Sequence, residues 1–376
     1  MTGVSAPRIC FIVESGTDTR LVEGLAARVD LHVLARAIPG GRAISQPTEV
    51  RIAIAPPGRA AFAWRVFRTL MRERFDAVLV QGYGLAALAA NAAARLRGMH
   101  CWMLVCSPIA EYYSARKQAG QPFSLLTLAA INLLGRLNAI VGSGYIVLSS
   151  HLRDVVRRDA PGKPVHVIPV YGVDVNRFAS RSDRAALREA RGLPVAASIV
   201  FSSSRVAPEK DTQTLIAAFA ALVREGRNVY LLHRSGAYRE FLDAADRAGV
   251  AARIIATDAA DPRRDLPLDY AASDVCVQAS HAEGLGFSVL ESLACGTPVI
   301  VSAVGGLTEV VRDGITGWTV PPREPEALAS ALRDALDRPD EARRRAAAGA
   351  AVVRERFSSE RAFARLVDVL AAPPGR

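Results

Sequence analysis

The sequence predicts an α/β protein of two Rossmann-like units, each a parallel sheet with helices on both faces. Its 376 residues exceed what one hydrophobic core usually supports, and half of them are hydrophobic. Short apolar runs alternate with helical patterns, which indicates parallel strands joined by right-handed crossovers. This alternation stops near residues 169–180 and then starts again, so the chain is expected to divide there.

The apolar runs that predict strands fall into two series. Those of the first half are residues 8–14, 31–34, 50–54, 77–81, 101–105 and 145–149. Those of the second half are residues 198–203, 229–233, 253–257, 274–279 and 299–302. We therefore expect one domain at residues 1–172, a second at 173–355, and a C-terminal helix at 356–376 that packs back on the first domain.

The positive charge is concentrated in the first half of the chain. Residues 1–172 carry 20 Lys and Arg against 10 Asp and Glu, whereas residues 173–376 carry 27 of each kind, which gives the net charge of +10. Such an excess predicts an acidic partner, with an anionic membrane surface or a phosphorylated acceptor as the candidates. Nucleic acid is the competing partner, and the lack of an interleaved aromatic platform or a nucleic-acid motif argues against it.

One helical segment of this half suits a membrane surface. Arg65, Arg68 and Arg72 share one helical face, with Trp64 and Phe67 beside them. The alternative interpretation is a helix that packs its apolar stripe on the sheet and holds its arginines in water.

No segment predicts a membrane span or a secretory leader. The most apolar stretch, residues 125–141, contains Asn132, Arg136 and Asn138, which are costly in a bilayer. The N-terminus lacks a basic region followed by a long apolar core, so a cytoplasmic protein is expected, with attachment to the inner face of the membrane as an option. Five cysteines without a C-x-x-C pair argue against a disulfide framework or structural zinc.

The most informative segment holds two carboxylates, Glu283 and Glu291, around a glycine-rich turn that opens a helix. Gly284 and Gly286 permit unusual backbone conformations, and a helix starting near Phe287 presents N–H groups and a positive dipole end to a diphosphate. Glu291 matches the two hydroxyls of a ribose, and Glu283 reaches the sugar. The alternative interpretation is a solvated loop before an ordinary amphipathic helix.

Two cations follow the first strand of the second half. Arg205 and Lys210 lie five residues apart on a loop that contains a proline. In open sheets ligands bind beyond the carboxyl ends of strands, so this pair can stabilise the charge that grows on a departing diphosphate. The alternative is plain surface charge, but the chain has only three lysines among its 47 basic residues.

Five segments together resemble a known family, the family 4 glycosyltransferases of GT-B fold (glycosyl transferases group 1). In order, they are Ser204-Arg205-Val206-Ala207-Pro208-Glu209-Lys210, residues 283–291, Ala294-Cys295-Gly296-Thr297-Pro298-Val299-Ile300, Gly305-Gly306-Leu307-Thr308-Glu309 and Asp313-Gly314-Ile315-Thr316-Gly317. The resemblance covers about residues 165–355 and weakens to architecture before them. It implies two Rossmann-like domains that face each other across a cleft, retention of anomeric configuration and no metal in the site. The sequence also predicts a site without a metal, because it contains no D-x-D carboxylate pair of the kind that holds a metal against a diphosphate.

Position by position, the resemblance implies a catalytic set of Arg205 and Lys210 on the donor diphosphate and Glu283 on the donor sugar hydroxyls. The implied donor-binding set is Glu291 on the ribose, Gly286, Phe287 and Ser288 through backbone N–H groups, and Gly16, Arg234 and Glu309. Glu309 equally suits a capping residue without a ligand contact. Members are usually described by front-face attack, in which the leaving diphosphate helps to remove the acceptor proton and no enzymic nucleophile is needed.

The chain departs from the family at three places. Residues 105–113 lack the histidine that many members carry, and His100 and His151 are better explained as structural. Members of the family commonly have a glycine-rich turn in the segment that contains Arg234. The hypothesis for Arg234 is that its side chain compensates by contacting phosphate or base. Gly16 is a single glycine where a pair is frequent, so close approach of acceptor or phosphate there is a weaker expectation.

Three functions follow. The leading one is transfer of a hexose-type sugar from a nucleoside-diphosphate sugar to a glycan, lipid-linked or small-molecule acceptor, with no cofactor and no metal. The second is a sugar-nucleotide enzyme that does not glycosylate, such as an epimerase. The third is an inactive scaffold of the same fold.

Overall fold

The structure is a computed structural model that describes residues 6–39, 43–45, 48–55, 57–118, 120, 124–235, 238–258 and 261–372. The elements up to residue 167 are β1 (Arg8–Val13), α1 (Thr19–Ala26), β2 (Asp30–Arg36), β3 (Ile52–Ala55), α2 (Arg59–Arg72), β4 (Ala77–Gln81), α3 (Leu85–Arg97), β5 (His100–Val105), α4 (Ile109–Gln118), α5 (Leu125–Val141), β6 (Gly144–Val147), α6 (Ser150–Asp159) and β7 (Val165–Val167).

The remaining elements begin after a connection that runs to residue 183. They are α7 (Arg184–Ala190), β8 (Ser198–Ser202), α8 (Thr212–Arg224), β9 (Val229–Arg234), α9 (Tyr238–Arg247), a 3-10 turn (Ala251–Arg253), β10 (Ile254–Thr257), α10 (Pro262–Ala272), β11 (Val275–Gln278), α11 (Phe287–Ala294), β12 (Val299–Ser302), α12 (Leu307–Val310), β13 (Trp318–Val320), α13 (Pro325–Asp337), α14 (Pro339–Arg356) and α15 (Ser359–Ala371).

The contacts of the chain divide it into two compact units. Unit 1 comprises Met1–Cys106, Pro122–Tyr171 and Glu360–Arg376, and unit 2 comprises Ser107–Gln121 and Gly172–Ser359. The sequence places residues 107–121 in the first domain, whereas their contacts group them with unit 2. The last helix begins at Ser359 rather than at residue 356, because α14 continues to Arg356. Residues 373–376 of the predicted C-terminal helix lie outside the described residues.

Unit 1 contains a parallel sheet in the order β3-β2-β1-β4-β5-β6-β7. The chain winds outward in one direction from β1 to β3 and in the other from β4 to β7, so the order reverses between β1 and β4. The core of this sheet is apolar on both faces, and Ile9, Phe11 and Leu79 are fully buried in it. The edge strand β7 is absent from the predicted strands because its three residues are too few to show a pattern.

Unit 2 contains a parallel sheet in the order β10-β9-β8-β11-β12-β13. Its order reverses between β8 and β11, and helices such as α8 and α13 bury Phe219 and Leu332 in its core. The three-residue strand β13 is also missing from the prediction. Both units are therefore Rossmann-like parallel sheets, as the sequence predicts.

The C-terminal helix α15 contributes side chains to the core of unit 1. Phe363 is buried and lies so close to Gly24 of α1 that a Cβ atom on Gly24 would be 1.9 Å from the ring. The guanidinium carbon of Arg28 lies 4.7 Å from the centre of the same ring. Gly24 is therefore a packing residue, where α1 and α15 approach closely.

The apolar helix α5 is attached to unit 1 through a polar pair. Asn138 is fully buried, its Oδ1 accepts a hydrogen bond of 2.8 Å from Asn91 Nδ2, and its own amide donates to Leu134 O at 2.9 Å. Within the described residues, no helix combines the length and the apolar character needed to cross a membrane.

Candidate functional site

The loops that follow β8 and β11 meet at the point where the strand order of unit 2 reverses. These strands are direct neighbours, with Cys276 paired to Phe201. Beyond them, Asp211 N donates to Ala279 O at 3.1 Å and His281 N donates to Glu209 O at 2.8 Å. Ligands of doubly wound sheets bind outside the carboxyl ends of strands at such a reversal. The loops are tied together by backbone hydrogen bonds, so the side chains they carry are held in a defined arrangement.

Lys210 and Glu283 form an ion pair between these two loops. Lys210 Nζ donates a hydrogen bond to Glu283 Oε2, and each side chain is only 12% exposed. Shielding from water strengthens the attraction between the two charges, and each partner neutralises the charge of the other. The structure therefore brings together two of the three residues predicted as catalytic.

Gln278, the last residue of β11, connects the two loops and the helix behind them. Its Oε1 accepts hydrogen bonds from Ser204 Oγ at 2.9 Å and Ser288 Oγ at 2.8 Å. Its Nε2 donates to Ser280 Oγ at 2.9 Å and to Glu283 Oε2 at 3.3 Å. The side chain is 2% exposed and orients the carboxylate that binds Lys210.

Arg205 projects from the same loop into solvent. Its side chain is 73% exposed, and Nη2 donates to Glu209 Oε1 at 3.1 Å across one turn of chain. Glu209 is itself buried, so the ion pair anchors one end of the guanidinium and leaves most of its surface accessible. Such a group is able to turn toward an anion, because the exposed guanidinium lies in water, which screens its attraction to Glu209.

Gly286 is the residue that precedes α11, three positions after Glu283. This glycine has φ of +88°, and a Cβ atom there would lie 2.4 Å from Leu307 Cδ2, so the position requires glycine. Without a side chain Gly286 provides no cap, and the positive end of the helix dipole is available to an anion. Gly305 and Gly306 pack on the preceding loop, where Gly306 N donates to Glu283 O at 3.0 Å.

Glu291 lies one turn into α11 and is 4% exposed. Tyr270 donates a hydrogen bond from its hydroxyl to Glu291 Oε2 at 3.2 Å, and the same hydroxyl is 3.1 Å from Ser203 Oγ. Burial and the Glu291 charge raise the pKa of Tyr270, so the phenol stays protonated and available as a donor. The contact of Glu291 with a ribose stays a prediction.

Arg234 is bound in an ion-pair cluster at the end of β9. Its Nε donates to Asp269 Oδ2 at 2.8 Å, another nitrogen donates to Thr257 Oγ1, and the side chain is 13% exposed. Arg191 Nε donates to Asp269 Oδ1 at 2.6 Å. Burial raises the pKa of Asp269, and both arginines oppose that shift. The guanidinium of Arg234 thus has protein partners, and its predicted phosphate or base contact stays untested. The neighbouring Gly236 of the sequence motif lies outside the described residues.

The other predicted donor residues occupy three places. Phe287 and Ser288 are the first two residues of α11, and Ser288 is committed through its hydroxyl to Gln278. Glu309 lies in the short helix α12, behind the Gly305–Gly306 turn. Gly16 lies in unit 1 with φ of +100°, a conformation that suits glycine, in the loop between β1 and α1.

Tyr112 of α4 is electrostatically linked to the Glu283 carboxylate, which the sequence did not reveal. It belongs to the segment without the expected histidine, and its contacts group with unit 2. Burial raises the pKa of Tyr112 and the negative charge of Glu283 adds to that shift, while a hydrogen bond with Ser107 opposes it. The phenol therefore lies within electrostatic range of Glu283.

The structure thus assembles Arg205, Lys210, Glu283, Gly286 and Ser288 around one sheet reversal. Sequence reasoning did not find Gln278 or Tyr270, although a polar residue that ends a buried apolar strand is a usable signal for Gln278. Tyr112 had no such signal, because contacts rather than chain position assign α4 to unit 2.

The comparison with known families agrees with the motifs. A family model described as "Glycosyl transferases group 1" matches residues 183–352. This match confirms, over these residues, the resemblance that the sequence motifs indicate.

Curated relatives share the name D-inositol 3-phosphate glycosyltransferase. The protein of Xylanimonas cellulosilytica is 36% identical over 250 residues, which are 64% of this chain and 59% of the relative. The protein of Mycolicibacterium gilvum is 40% identical over 177 residues, which are 46% of this chain and 39% of the relative. The chain therefore spans less than two thirds of the length of the relatives that it matches.

Solved structures share the fold across nearly the whole chain. HepE of Anabaena, determined with UDP-glucose, has a TM-score of 0.77 at 18% identity and covers 97% of this chain and 99% of its own. Sucrose-phosphate synthase from Thermosynechococcus elongatus has a TM-score of 0.76 at 22% identity and covers 96% of this chain and 97% of its own. At these identities the likeness establishes the fold, and the predicted GT-B class is confirmed.

Proposed function

We propose that this protein is a retaining, metal-independent glycosyltransferase that moves a sugar from a nucleoside diphosphate to a hydroxyl group of an acceptor. The family match of residues 183–352 supports the reaction class. The observation that carries the proposal is the contact between Lys210 and Glu283, because it joins a cation and a carboxylate at the sheet reversal beside the start of α11.

In the proposed donor complex, the diphosphate takes over Lys210 from Glu283. A diphosphate carries more charge than one carboxylate, so Lys210 and the exposed Arg205 gain by turning to it. The N-terminal end of α11 adds a fixed positive dipole from the other loop. These groups stabilise the charge that develops on the leaving nucleoside diphosphate, which lowers the barrier to breaking the glycosidic bond.

Glu283, released from Lys210, is the proposed ligand of the donor sugar. A carboxylate accepts two hydrogen bonds from vicinal hydroxyls, and Gln278 Nε2 keeps it oriented through its bond of 3.3 Å. The same charge stabilises positive character on the sugar ring in an oxocarbenium-like transition state. Glu291, supported by Tyr270, is the proposed ribose ligand on the next turn of the helix.

Retention follows in this proposal from front-face attack. The leaving diphosphate helps to remove the acceptor proton, the acceptor oxygen bonds to the anomeric carbon on the face that the diphosphate leaves, and no side chain acts as nucleophile. The positive charge that a metal would supply comes here from Arg205, Lys210 and the helix dipole. A resistance of the reaction to EDTA is the direct consequence.

A small phosphorylated polyol is the first acceptor to test, because the curated relatives are named for D-inositol 3-phosphate. Lipid-linked and glycan acceptors remain in the panel. UDP-glucose is the first donor, since HepE was solved with it.

The test begins with ligand-induced stabilisation of the purified protein. UDP, GDP and ADP and their common sugar conjugates are compared with and without EDTA. A ligand at about 100 times its Kd adds about 2.7 kcal/mol to stability. The donor that stabilises is then incubated with the acceptor panel, and the anomeric configuration of the product is read by proton NMR.

A selective shift that EDTA leaves unchanged, followed by a product of retained configuration, is the expected result. Turnover of donor without any acceptor product would point to the non-glycosylating enzyme. No shift with any nucleotide would favour the inactive scaffold, and an inverted product or a reaction abolished by EDTA would contradict the proposed mechanism.

A further inference from the structure

Three neighbouring helices of unit 1 carry arginines but no acidic residue. The helix α3 packs against α2 on one side and against α5 on the other. Across the three helices the sequence has no Asp or Glu, and its seven arginines are Arg59, Arg65, Arg68, Arg72, Arg95, Arg97 and Arg136. A surface of one sign built from adjacent elements attracts an anionic partner.

These arginines have no carboxylate partner in the described part of the chain. Ion pairs of unit 1 involve other arginines, for example Arg8 with Glu73 and Arg20 with Asp18. Arg65, Arg68, Arg72 and Arg136 are all exposed. The charge of these four arginines is therefore not neutralised by an ion pair within the described residues.

The outer face of α5 is apolar. Leu126 is 83% exposed, Leu133 59%, Leu137 37% and Ile140 66%. At about 100° per residue these four positions lie within about 60° of one another, so they form one stripe along the helix. The exposed alanines Ala129 and Ala130 lie on the same side.

The opposite side of α5 is the one that packs on unit 1. There Asn138 is buried, and it hydrogen-bonds to Asn91 and to the carbonyl oxygens of Leu134 and Tyr83. The helix is therefore docked through a polar pair while the stripe of Leu126, Leu133, Leu137 and Ile140 faces outward. Folding alone does not explain this orientation, because burial of the leucines would gain more hydrophobic free energy.

The other two helices add exposed apolar side chains to the same surface. Trp64 of α2 is 60% exposed and stacks on Phe67 with ring centres 6.0 Å apart, and Leu96 of α3 is 70% exposed. Apolar side chains with arginines around them match the boundary of a bilayer, where headgroups are charged and acyl chains begin. A tryptophan is suited to that boundary because its ring is amphipathic.

We propose that the outer surface of α2, α3 and α5, the basic apolar face of unit 1, binds an anionic lipid bilayer. The leucine stripe of α5 enters the headgroup boundary and the arginines contact lipid phosphates. The proposal concerns unit 1 alone and does not depend on the reaction proposed for the site in unit 2.

The test is flotation of the full chain with vesicles of phosphatidylcholine alone or with added phosphatidylglycerol. We expect recovery with the anionic vesicles, a loss of binding as salt is raised, and little recovery with the neutral vesicles. The variant Leu133→Ser/Ile140→Ser should partition at least about tenfold more weakly, because it removes two exposed apolar side chains that enter the lipid in the proposed complex. The variant Arg65→Gln/Arg68→Gln should weaken binding about tenfold or more and reduce the salt dependence.

Matched controls come from unit 2. Ile315 is an exposed apolar residue, and Arg239 and Arg354 are exposed arginines, so Ile315→Ser and Arg239→Gln/Arg354→Gln should bind as the parent does. Far-UV circular dichroism verifies that each variant is folded. Equal recovery of the parent protein with and without lipid would overturn the proposal, as would undiminished binding by both test variants. A dimer in light scattering that Leu133→Ser/Ile140→Ser dissociates would assign this face to a second copy of the chain instead.

Discussion

Lys210 donates a hydrogen bond to Glu283 across the strand reversal of the second sheet, and the two side chains are equally shielded from water. The lysine follows β8 and the glutamate follows β11, so 73 residues of chain separate them. A buried ion pair is a poor device for stability, since desolvation offsets most of the attraction. Its position at the ligand-binding edge of the sheet suits a pair that exchanges partners when donor binds.

Removal of either partner should lower activity sharply. We expect Lys210→Ala and Glu283→Gln each to reduce kcat about 10²–10³-fold, because each removes a charge that stabilises the transition state. Each should also lose about 1–3 kcal/mol of stability, since the remaining partner is left without its ion pair. Steady-state kinetics and urea unfolding measure the two effects.

The double variant Lys210→Met/Glu283→Gln separates the two effects. It should regain most of the lost stability and none of the activity. Lys117→Ala removes an exposed lysine and should change neither quantity. Full activity in both single variants would remove the catalytic assignment.

Arg205 should affect activity without affecting stability. Its side chain is largely exposed, and among the described residues its ion-pair partner is Glu209, so Arg205→Ala should change the free energy of unfolding by less than about 1 kcal/mol. We expect kcat to fall at least about tenfold, because the guanidinium turns to the leaving diphosphate. Arg239→Ala provides the control at another exposed arginine, and equal kcat for the two variants would contradict the role of Arg205.

Gly286→Ala should be more destabilising than an ordinary glycine substitution. Gly286 has φ of +88° and a Cβ atom there would lie 2.4 Å from Leu307 Cδ2, whereas Gly314 has φ of +74° with no atom within 4 Å. Gly314→Ala therefore incurs only the backbone strain, about 1–2 kcal/mol. Gly286→Ala should lose more stability than Gly314→Ala. It should also weaken donor binding, because the start of α11 must shift. Thermal unfolding with and without nucleotide measures both, and equal losses would argue against a tight fit at Gly286.

Glu14 should make unit 1 less stable as pH rises. The side chain is 7% exposed, and burial raises its pKa, while the Gly84 N–H at 3.1 Å and the nearby Arg36 and Arg59 oppose the shift. A carboxyl whose pKa is raised on folding binds more protons when folded than when unfolded. Its effect on stability therefore turns unfavourable as pH rises from the unfolded pKa, about 4.3, through the folded one.

The variant Glu14→Gln removes this titration and keeps an oxygen to accept from Gly84. We expect equal stability of variant and parent at low pH, and a more stable variant above the folded pKa. The control Glu49→Gln, at a site where the carboxylate is less buried, should show no such pH-dependent gain. A gain that is the same at every pH would contradict a titrating Glu14.

Most of the strands could be read from the sequence because a buried parallel strand is a continuous apolar run. The runs near residues 77–81 and 299–302 coincide with β4 and β12, whereas β7 and β13 have three residues each and leave no pattern. The glycines of the donor motif were also readable, since Gly286 and Gly305 occupy positive φ that other residues rarely adopt. Local chain geometry thus leaves a trace in local sequence.

The sequence by itself determined the α/β class, the two sheets and the chemical character of Arg205, Lys210, Glu283 and Glu291, because periodicity and residue type are local properties. Only the tertiary structure decided that Lys210 contacts Glu283, that Gln278 orients this pair, that Arg234 is committed to Asp269 and that α4 belongs with unit 2. It also decided that Leu126, Leu133 and Leu137 of α5 face outward. These are relations between distant parts of the chain, set by strand order and side-chain packing, and no window of sequence contains them.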